Sequence, residues 1–106
     1  MAKTIKSYEL KKLLDAGEKI DLIDIREPYE RKICKLDSES IPFSFIPYNI
    51  DKIPRIKPVI FYCHFGIRSK YIISYLERNF DYRNLYALEG GIQSWAEHVD
   101  PKMAKY

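Results

Sequence analysis

One segment near the middle of the chain restricts the fold more than any other. Residues 59–62 are four consecutive apolar residues without alternation, a pattern typical of a strand buried on both faces of a parallel sheet. A loop with one glycine follows, and then a helical stretch; the loop is Cys63-His64-Phe65-Gly66-Ile67-Arg68-Ser69. When a strand turns through a short loop into a helix, successive N–H groups and the positive end of the helix dipole point at one spot. The segment therefore predicts an α/β fold with an anion-binding loop.

Two loop residues suggest what this spot does. Cys63 ends the predicted strand, and positive surroundings favour the thiolate, which is the nucleophilic form of cysteine. Arg68 keeps its charge and can hold an oxyanion through two parallel hydrogen bonds. A buried cysteine is often only a small hydrophobe, but Gly66 and Arg68 stand where an anion loop needs them. Cys34 has no such neighbours in sequence, so we expect it to be structural.

Length and composition indicate one globular domain. The chain has 106 residues, 46% of them hydrophobic and 31% charged, which is enough for a single core and too short for two. The net charge of +3 is mild, because 18 basic residues are interleaved with 15 acidic ones. Interleaved charges indicate a solvated surface rather than a nucleic-acid site. An acidic partner protein would still be attracted.

The sequence also indicates a compartment and a chemistry without cofactors. Neither a secretion signal nor a membrane span is visible, so we expect a cytoplasmic protein without membrane partners. Two cysteines in a reducing compartment are not expected to form a disulfide. No His/Cys cluster has metal-ligand spacing, so neither a metal nor another cofactor is expected.

Further elements follow from apolar periodicity and turn residues. Helices are predicted over residues 8–16 with Ser7 as the cap, over 28–31, over 69–79 and over 92–98 with Trp95 as the anchor. Strands are predicted at 20–25 and 85–88, one helical turn at 49–53, and irregular structure at 37–47. The helix that starts at Ser69 is expected to turn four side chains inward, namely Tyr71, Ile72, Tyr75 and Leu76.

Strands that alternate with helices predict a central, mainly parallel sheet flanked by helices. In such sheets the ligand site lies at the carboxyl ends of the strands, where Cys63 falls.

The spacing from Cys63 to Arg68 is informative. Four residues intervene, whereas phosphate-cleaving cysteine enzymes resemble Cys-x5-Arg. A loop that is one residue shorter suits a single sulfur atom on the thiolate, a persulfide, better than a tetrahedral phosphate. The pattern Cys-x-x-Gly-x-Arg-Ser resembles the active-site loop of the rhodanese family of sulfurtransferases.

Two further motifs extend this resemblance over nearly the whole chain. Residues 24–28, Asp-Ile-Arg-Glu-Pro, resemble the segment that opens rhodanese domains, and residues 88–95 resemble their closing Leu-x-Gly-Gly-x-x-x-Trp. We expect Asp24 and Arg26 to fix a loop by hydrogen bonds. The pair Gly90-Gly91 is expected to serve a turn that needs positive φ or a close backbone approach.

The resemblance implies a single rhodanese-like domain over residues 1–106 and an enzyme of the sulfurtransferase type. Cys63 would carry the sulfur and Arg68 would stabilise the anion. The other loop residues would bind substrate, namely His64, Phe65, Gly66, Ile67 and Ser69. Phe65 and Ile67 would form an apolar lip, and His64 would either line the mouth or shuttle a proton.

A narrower similarity concerns partners. Residues 33–36 and the tail, with Trp95, Asp100-Pro101 and Tyr106, are similar to the rhodanese domain that ends certain adenylating enzymes. Those enzymes charge small ubiquitin-like sulfur carriers. The sulfurtransferase hypothesis gives thiosulfate or a protein persulfide as donor and a thiol or cyanide as acceptor. The narrower similarity adds such a carrier as acceptor, with a separate adenylating enzyme. The chain departs from the family pattern at Ser40-Ile41-Pro42-Phe43-Ser44, which replaces the usual Gly-His-Ile-Pro-Gly-Ala. This departure bears on the rim of the pocket and therefore on the choice of substrate.

Two alternatives remain open from the sequence. One is a cysteine-based phosphatase or arsenate reductase, which the short loop disfavours. The other is a binding module that keeps the fold without the chemistry, which the presence of Cys63 disfavours.

Overall fold

The computed structural model describes residues 2–106, with eleven elements in chain order. The strands are β1 (Lys3–Ile5), β2 (Asp21–Asp24), β3 (Glu39–Ser40), β4 (Val59–Tyr62) and β5 (Leu85–Leu88). The α-helices are α1 (Ser7–Asp15), α2 (Pro28–Ile33), α3 (Ile67–Phe80) and α4 (Gly91–His98). Two 3-10 turns lie at Phe43–Tyr48 and Ile50–Lys52.

The five strands form one parallel sheet in the order β1-β5-β4-β2-β3. Strand β4 is central: Tyr62 pairs with Asp24 of β2, and Phe61 pairs with Ala87 of β5. All four β4 residues are buried, as expected for a strand covered on both faces. The predicted parallel α/β domain is therefore confirmed.

Two apolar clusters cover the two faces of the sheet. Phe61 and Cys63 lie in the cluster that contains α3, and Ile60 and Tyr62 lie in the one that contains Leu10 of α1. Trp95 of α4 belongs to the second cluster, as the sequence predicted. Because strand side chains alternate between faces, Cys63 points to the α3 side.

Helix α3 differs from its prediction in two respects. It begins at Ile67 rather than Ser69, and Tyr71, expected inward, is 69% exposed. The buried positions are Ser69, Ile72, Ile73 and Leu76. These follow the spacing i, i+3, i+4, i+7 of one helical face, and Tyr71 lies outside that face.

Ser7 does not cap α1. Lys6 is the N-cap residue, and its N–H donates to Oε1 of Glu9 at 2.9 Å. The hydroxyl of Ser7 instead donates to Oγ of Ser94 at 3.2 Å. The Ser7 hydroxyl, which the local sequence pattern assigned to the helix cap, is thus used in a tertiary contact with α4.

The sequence also missed the two edge strands, β1 and β3. They have three and two residues, too short for a periodic signal. Strand β3 and the turn at Phe43–Tyr48 give regular structure to part of the 37–47 stretch that was expected to be irregular. Within residues 2–106, no helix has the length and apolar character needed to cross a membrane.

Candidate active site

The loop after β4 turns around the sulfur of Cys63. Cys63 is buried, and the N–H of Gly66 donates to its Sγ at 3.1 Å. Gly66 has φ +97°, the left-handed region that favours glycine, and α3 starts at the next residue. The sulfur therefore lies at the carboxyl end of the central strand and beside the N-terminus of a 14-residue helix, where backbone N–H groups favour an anion.

The turn between β5 and α4 supports this loop from behind. The N–H of Ile92 donates to the carbonyl of Cys63 at 2.9 Å, and that of Gln93 donates to the carbonyl of His64 at 3.1 Å. A Cβ at Gly91, whose φ is +63°, would lie against both carbonyl oxygens. The expectation that this glycine permits a close backbone approach is confirmed. The closing motif, residues 88–95, therefore packs directly against the backbone of the loop.

Arg68 forms a two-pronged ion pair with Glu30 of α2. Nη1 lies 3.0 Å from Oε1, and Nη2 lies 3.1 Å from Oε2. The hydrogen bonds to Glu30 are the largest cause of a raised pKa of Arg68; burial opposes them, and the charge of the Glu30 carboxylate adds to them. A carboxylate of α2 thus holds the Arg68 guanidinium at the start of α3.

Glu30 is almost fully buried and takes part in several charge-assisted hydrogen bonds. Burial alone would raise the pKa of Glu30, but Arg68, the N–H of Glu27 and the hydroxyl of Tyr106 outweigh it and lower the pKa to about 2. Glu30 therefore stays ionised at neutral pH. The sequence analysis did not single it out, because Glu at the third position of a helix that begins with Pro28 signals only a capping box.

His64 lies in a stack of three rings. Its imidazole is 4.0 Å from the ring of Phe65 and 3.8 Å from that of Tyr106, with interplanar angles of 21° and 13°. Within residues 2–106, its buried Nε2 has no hydrogen-bond partner, and neither does the buried Oγ of Ser69. Both loop residues thus have polar atoms that other groups of the described chain leave unused.

Phe65 and Ile67 lie at the surface, with 57% and 78% of their area exposed. Tyr71, on the next turn of α3, is also exposed, and its ring contacts that of Phe43 at 5.9 Å. The loop therefore has apolar neighbours on the outside, next to the buried sulfur.

Asp24 and Arg26 form a fully buried pair at the end of β2. Nε and Nη2 of Arg26 lie 2.9 and 2.8 Å from the two carboxylate oxygens of Asp24, and Nη2 also donates to the carbonyl of Cys34 at 2.7 Å. Arg31 donates to the same carboxylate at 2.9 Å. These bonds hold the end of β2 to α2 and the segment after it, in agreement with the structural role expected from the sequence.

A cavity of about 610 Å³ lies away from the loop, beside β2 and β3. It is lined in part by Ser40, Ile41 and Pro42, from the segment that departs from the family pattern. None of the loop residues 63–69 lines it. We therefore assign the candidate chemistry to the loop, where the nucleophile lies, and not to this cavity.

A central parallel strand that ends in cysteine, a glycine-turned loop and the start of a long helix define a class of α/β domains built around a loop cysteine. Within that class, the chain belongs to the rhodanese-like domain family, whose model matches residues 7–98. The resemblance seen in the sequence motifs is confirmed.

Relatives of the chain carry sulfurtransferase names. A protein of Allochromatium vinosum named sulfurtransferase is 34% identical over 98% of this chain and 97% of its own length. The probable adenylyltransferase/sulfurtransferase MoeZ of Mycobacterium tuberculosis is 34% identical over 97% of this chain. This chain spans only 27% of the length of MoeZ.

Solved structures show the same fold. The crystal structure of a rhodanese-related protein from Thermoplasma volcanium superposes with a TM-score of 0.81 at 28% identity, over 92% of this chain and 93% of that one. Sequence and fold thus agree on the family.

Proposed function

We propose that the protein is a sulfurtransferase that carries sulfane sulfur as a persulfide on Cys63. The observation that carries the proposal is the hydrogen bond from the Gly66 N–H to Sγ of Cys63 at 3.1 Å, at the start of α3. An N–H that points at the sulfur stabilises the thiolate of Cys63. The N–H groups at the start of a helix also favour an anion, so those of α3 would stabilise the charged outer sulfur of a persulfide.

The first step loads the sulfur. The Cys63 thiolate attacks the outer sulfur of thiosulfate; a new S–S bond forms, the S–S bond of thiosulfate breaks, and sulfite leaves with the electron pair. The cysteine becomes a persulfide anion, and the total charge is unchanged. No general acid is needed, because sulfite is a stable anion.

The second step unloads it. An acceptor thiolate or cyanide attacks the outer sulfur of the persulfide, the S–S bond to Cys63 breaks, and the thiolate of Cys63 is regenerated. With cyanide the product is thiocyanate. Two separate half-reactions predict two-step kinetics with a covalent intermediate.

Arg68 would stabilise the anions of both steps. Glu30 occupies two N–H groups of its guanidinium, and a guanidinium carries five. The remaining N–H groups can donate hydrogen bonds to the sulfonate oxygens of thiosulfate or to the persulfide. His64 and Ser69 would complete the binding surface, with Phe65 and Ile67 as its apolar rim.

A protein acceptor is the finer part of the proposal. The 34% identity to part of the adenylyltransferase/sulfurtransferase MoeZ is consistent with a small ubiquitin-like sulfur carrier as acceptor and a separate adenylating enzyme. We propose that the transfer takes place in the cytoplasm. The exposed side chains of Phe65, Ile67 and Tyr71 around the loop provide apolar surface for such an encounter.

Mass spectrometry of the intact protein tests the loading step. Incubation with thiosulfate should add one sulfur that a reductant removes. Cys63→Ser should abolish this adduct, and the matched control Cys34→Ser should retain it. An adduct that persists in Cys63→Ser and maps to Cys34 contradicts the proposal.

A further inference from the structure

Tyr106 contacts two parts of the candidate site at once. Its ring stacks on His64 of the loop at 3.8 Å, nearly parallel. Its hydroxyl donates to Oε2 of Glu30 at 2.8 Å and accepts from Nη1 of Arg26 at 2.9 Å. One side chain thus joins the residue after Cys63 to the carboxylate that holds Arg68.

Both hydrogen bonds of the Tyr106 hydroxyl are to charged side chains. Burial, together with the Glu30 carboxylate, raises the pKa of Tyr106 although Arg26 acts in the opposite direction. The phenol therefore remains protonated at neutral pH and keeps donating to Glu30. A tyrosine that only filled space would need its ring and not this hydroxyl.

The carboxylate of Glu30 depends on this donor. Oε2 accepts from Tyr106 and from Nη2 of Arg68, and Oε1 accepts from Nη1 of Arg68 and from the N–H of Glu27. Arg26 donates to the hydroxyl of Tyr106 and is itself paired with Asp24. Charge-assisted hydrogen bonds are the strong ones in proteins, so removal of one donor loosens the position of Glu30 and, through it, of Arg68.

We propose that Tyr106 is a positioning residue of the sulfur-transfer loop. Its ring holds His64 against Phe65, and its hydroxyl fixes the Glu30 carboxylate in the position from which it binds Arg68. This inference rests on the proposed sulfurtransferase function. Tyr106 itself acts through His64 and Glu30.

Two substitutions separate the two contacts. Tyr106→Phe keeps the ring and removes the hydroxyl, whereas Tyr106→Leu removes both. The control is Tyr86→Phe, because Tyr86 lies on β5, is partly buried, and its hydroxyl has no hydrogen-bond partner among residues 2–106. The rate of persulfide formation from thiosulfate is measured by rapid quench and mass, at a temperature at which circular dichroism shows every variant folded.

Tyr106→Phe should lower the second-order rate constant of persulfide formation about tenfold, equivalent to about 1.4 kcal/mol. Tyr106→Leu should lower it further, so that the ring in Tyr106→Phe rescues part of the loss. Tyr86→Phe should stay within twofold of the unmodified protein. Equal rates for Tyr106→Phe, Tyr106→Leu and the unmodified protein overturn the inference.

A second readout follows the network directly. The side-chain ¹³C signal of Glu30, titrated from pH 7 downwards, should report a pKa near 2 in the unmodified protein and a higher pKa in Tyr106→Phe. An unchanged Glu30 titration, or a loss of melting temperature without a loss of rate, assigns Tyr106 a structural role only and overturns the inference. If the unmodified protein transfers no sulfur, the proposed function fails and this inference with it; if it transfers sulfur and Tyr106→Phe does so equally well, only the inference fails.

Discussion

Glu30 and Arg68, 38 positions apart, form a two-pronged ion pair that fastens the first turn of α3 to α2. The pair fixes the guanidinium at the start of α3 and leaves three of its five N–H groups outside the pair. Arg68 is thus preorganised by a carboxylate instead of moving freely at the surface. Preorganised charges stabilise a reacting anion without reorganisation at the moment of reaction.

Arg68→Lys should fold normally and transfer sulfur poorly. An ammonium group cannot bind Glu30 through two prongs and still present a planar set of donors, so we expect a loss of about 100-fold in cyanide-dependent turnover of thiosulfate. The control is Arg83→Lys, because the pair of Arg83 with Asp81 is exposed. Near-normal turnover by Arg68→Lys would remove Arg68 from the mechanism.

Gly91→Ala should damage the loop as well as the turn. The positive φ costs about 1 to 2 kcal/mol for a residue with a Cβ, and that Cβ would also push against the carbonyls of Cys63 and His64. Gly17→Ala is the matched control, since Gly17 has φ +71° with nothing within 4 Å of its Cβ position. We expect Gly91→Ala to melt at least about 5 °C below Gly17→Ala and to lose sulfur transfer; equal melting temperatures would argue against the close contact.

The stability of the protein should fall as the pH drops from about 4.5 towards 2. The pKa of Glu30 is lowered from 4.5 to about 2 in the folded protein. Its stabilising contribution is therefore complete above the unfolded value and is lost as the pH falls through the folded one. A shift of this size corresponds to a contribution on the order of 3 kcal/mol.

Urea unfolding between pH 2 and 7 measures this dependence. Glu30→Gln should show a flatter profile in the acid range, and Glu97→Gln, at an exposed position of α4, should follow the unmodified protein. Parallel profiles for Glu30→Gln and the unmodified protein would show that the lowered pKa of Glu30 does not contribute to the pH dependence of stability.

Persulfide on Cys63 should pass to the adenylated carboxyl terminus of a ubiquitin-like sulfur carrier. Attraction between this mildly basic domain, with a net charge of +3, and an acidic carrier would raise the association rate. The test mixes persulfidated protein, adenylating enzyme, ATP and carrier, and looks for a thiocarboxylate by mass. The product should require Cys63, tolerate Cys34→Ser and decline with added salt.

Transfer that proceeds equally from Cys63→Ala, or only to cyanide and small thiols, would exclude the carrier role. A general sulfurtransferase would then remain. Robust hydrolysis of an aryl phosphate by the unmodified protein would instead favour the phosphatase alternative.

Local signals in the sequence were sufficient for most of the framework. The apolar run at β4 predicted Val59–Tyr62 with its observed bounds, and Gly66 after Cys63 predicted the turn. The buried face of α3 was predicted less well. The sequence pattern allows either Tyr71 or Ile73 to share one helical face with Ile72 and Leu76. Only the packing of α3 on the sheet chose Ile73 and left Tyr71 exposed.

Contacts between distant residues could not be predicted in this way. Glu30 gives the local signal of a helix cap, and Tyr106 lies 76 positions from it. Likewise, Gly91 has the signal of a turn, but its contact with the Cys63 and His64 carbonyls exists only once α4 packs behind the loop.

The sequence by itself therefore determined the strand, the loop with its cysteine, the helix and the family, because each depends on neighbouring residues and on short motifs. Tertiary structure alone decided that Glu30 holds Arg68, that Tyr106 stacks on His64, and that Ser7 bonds to Ser94 instead of capping α1. The physical reason is that backbone propensity and apolar periodicity act over a few residues. The partners of a buried charge or hydroxyl are set by which elements the sheet order brings together.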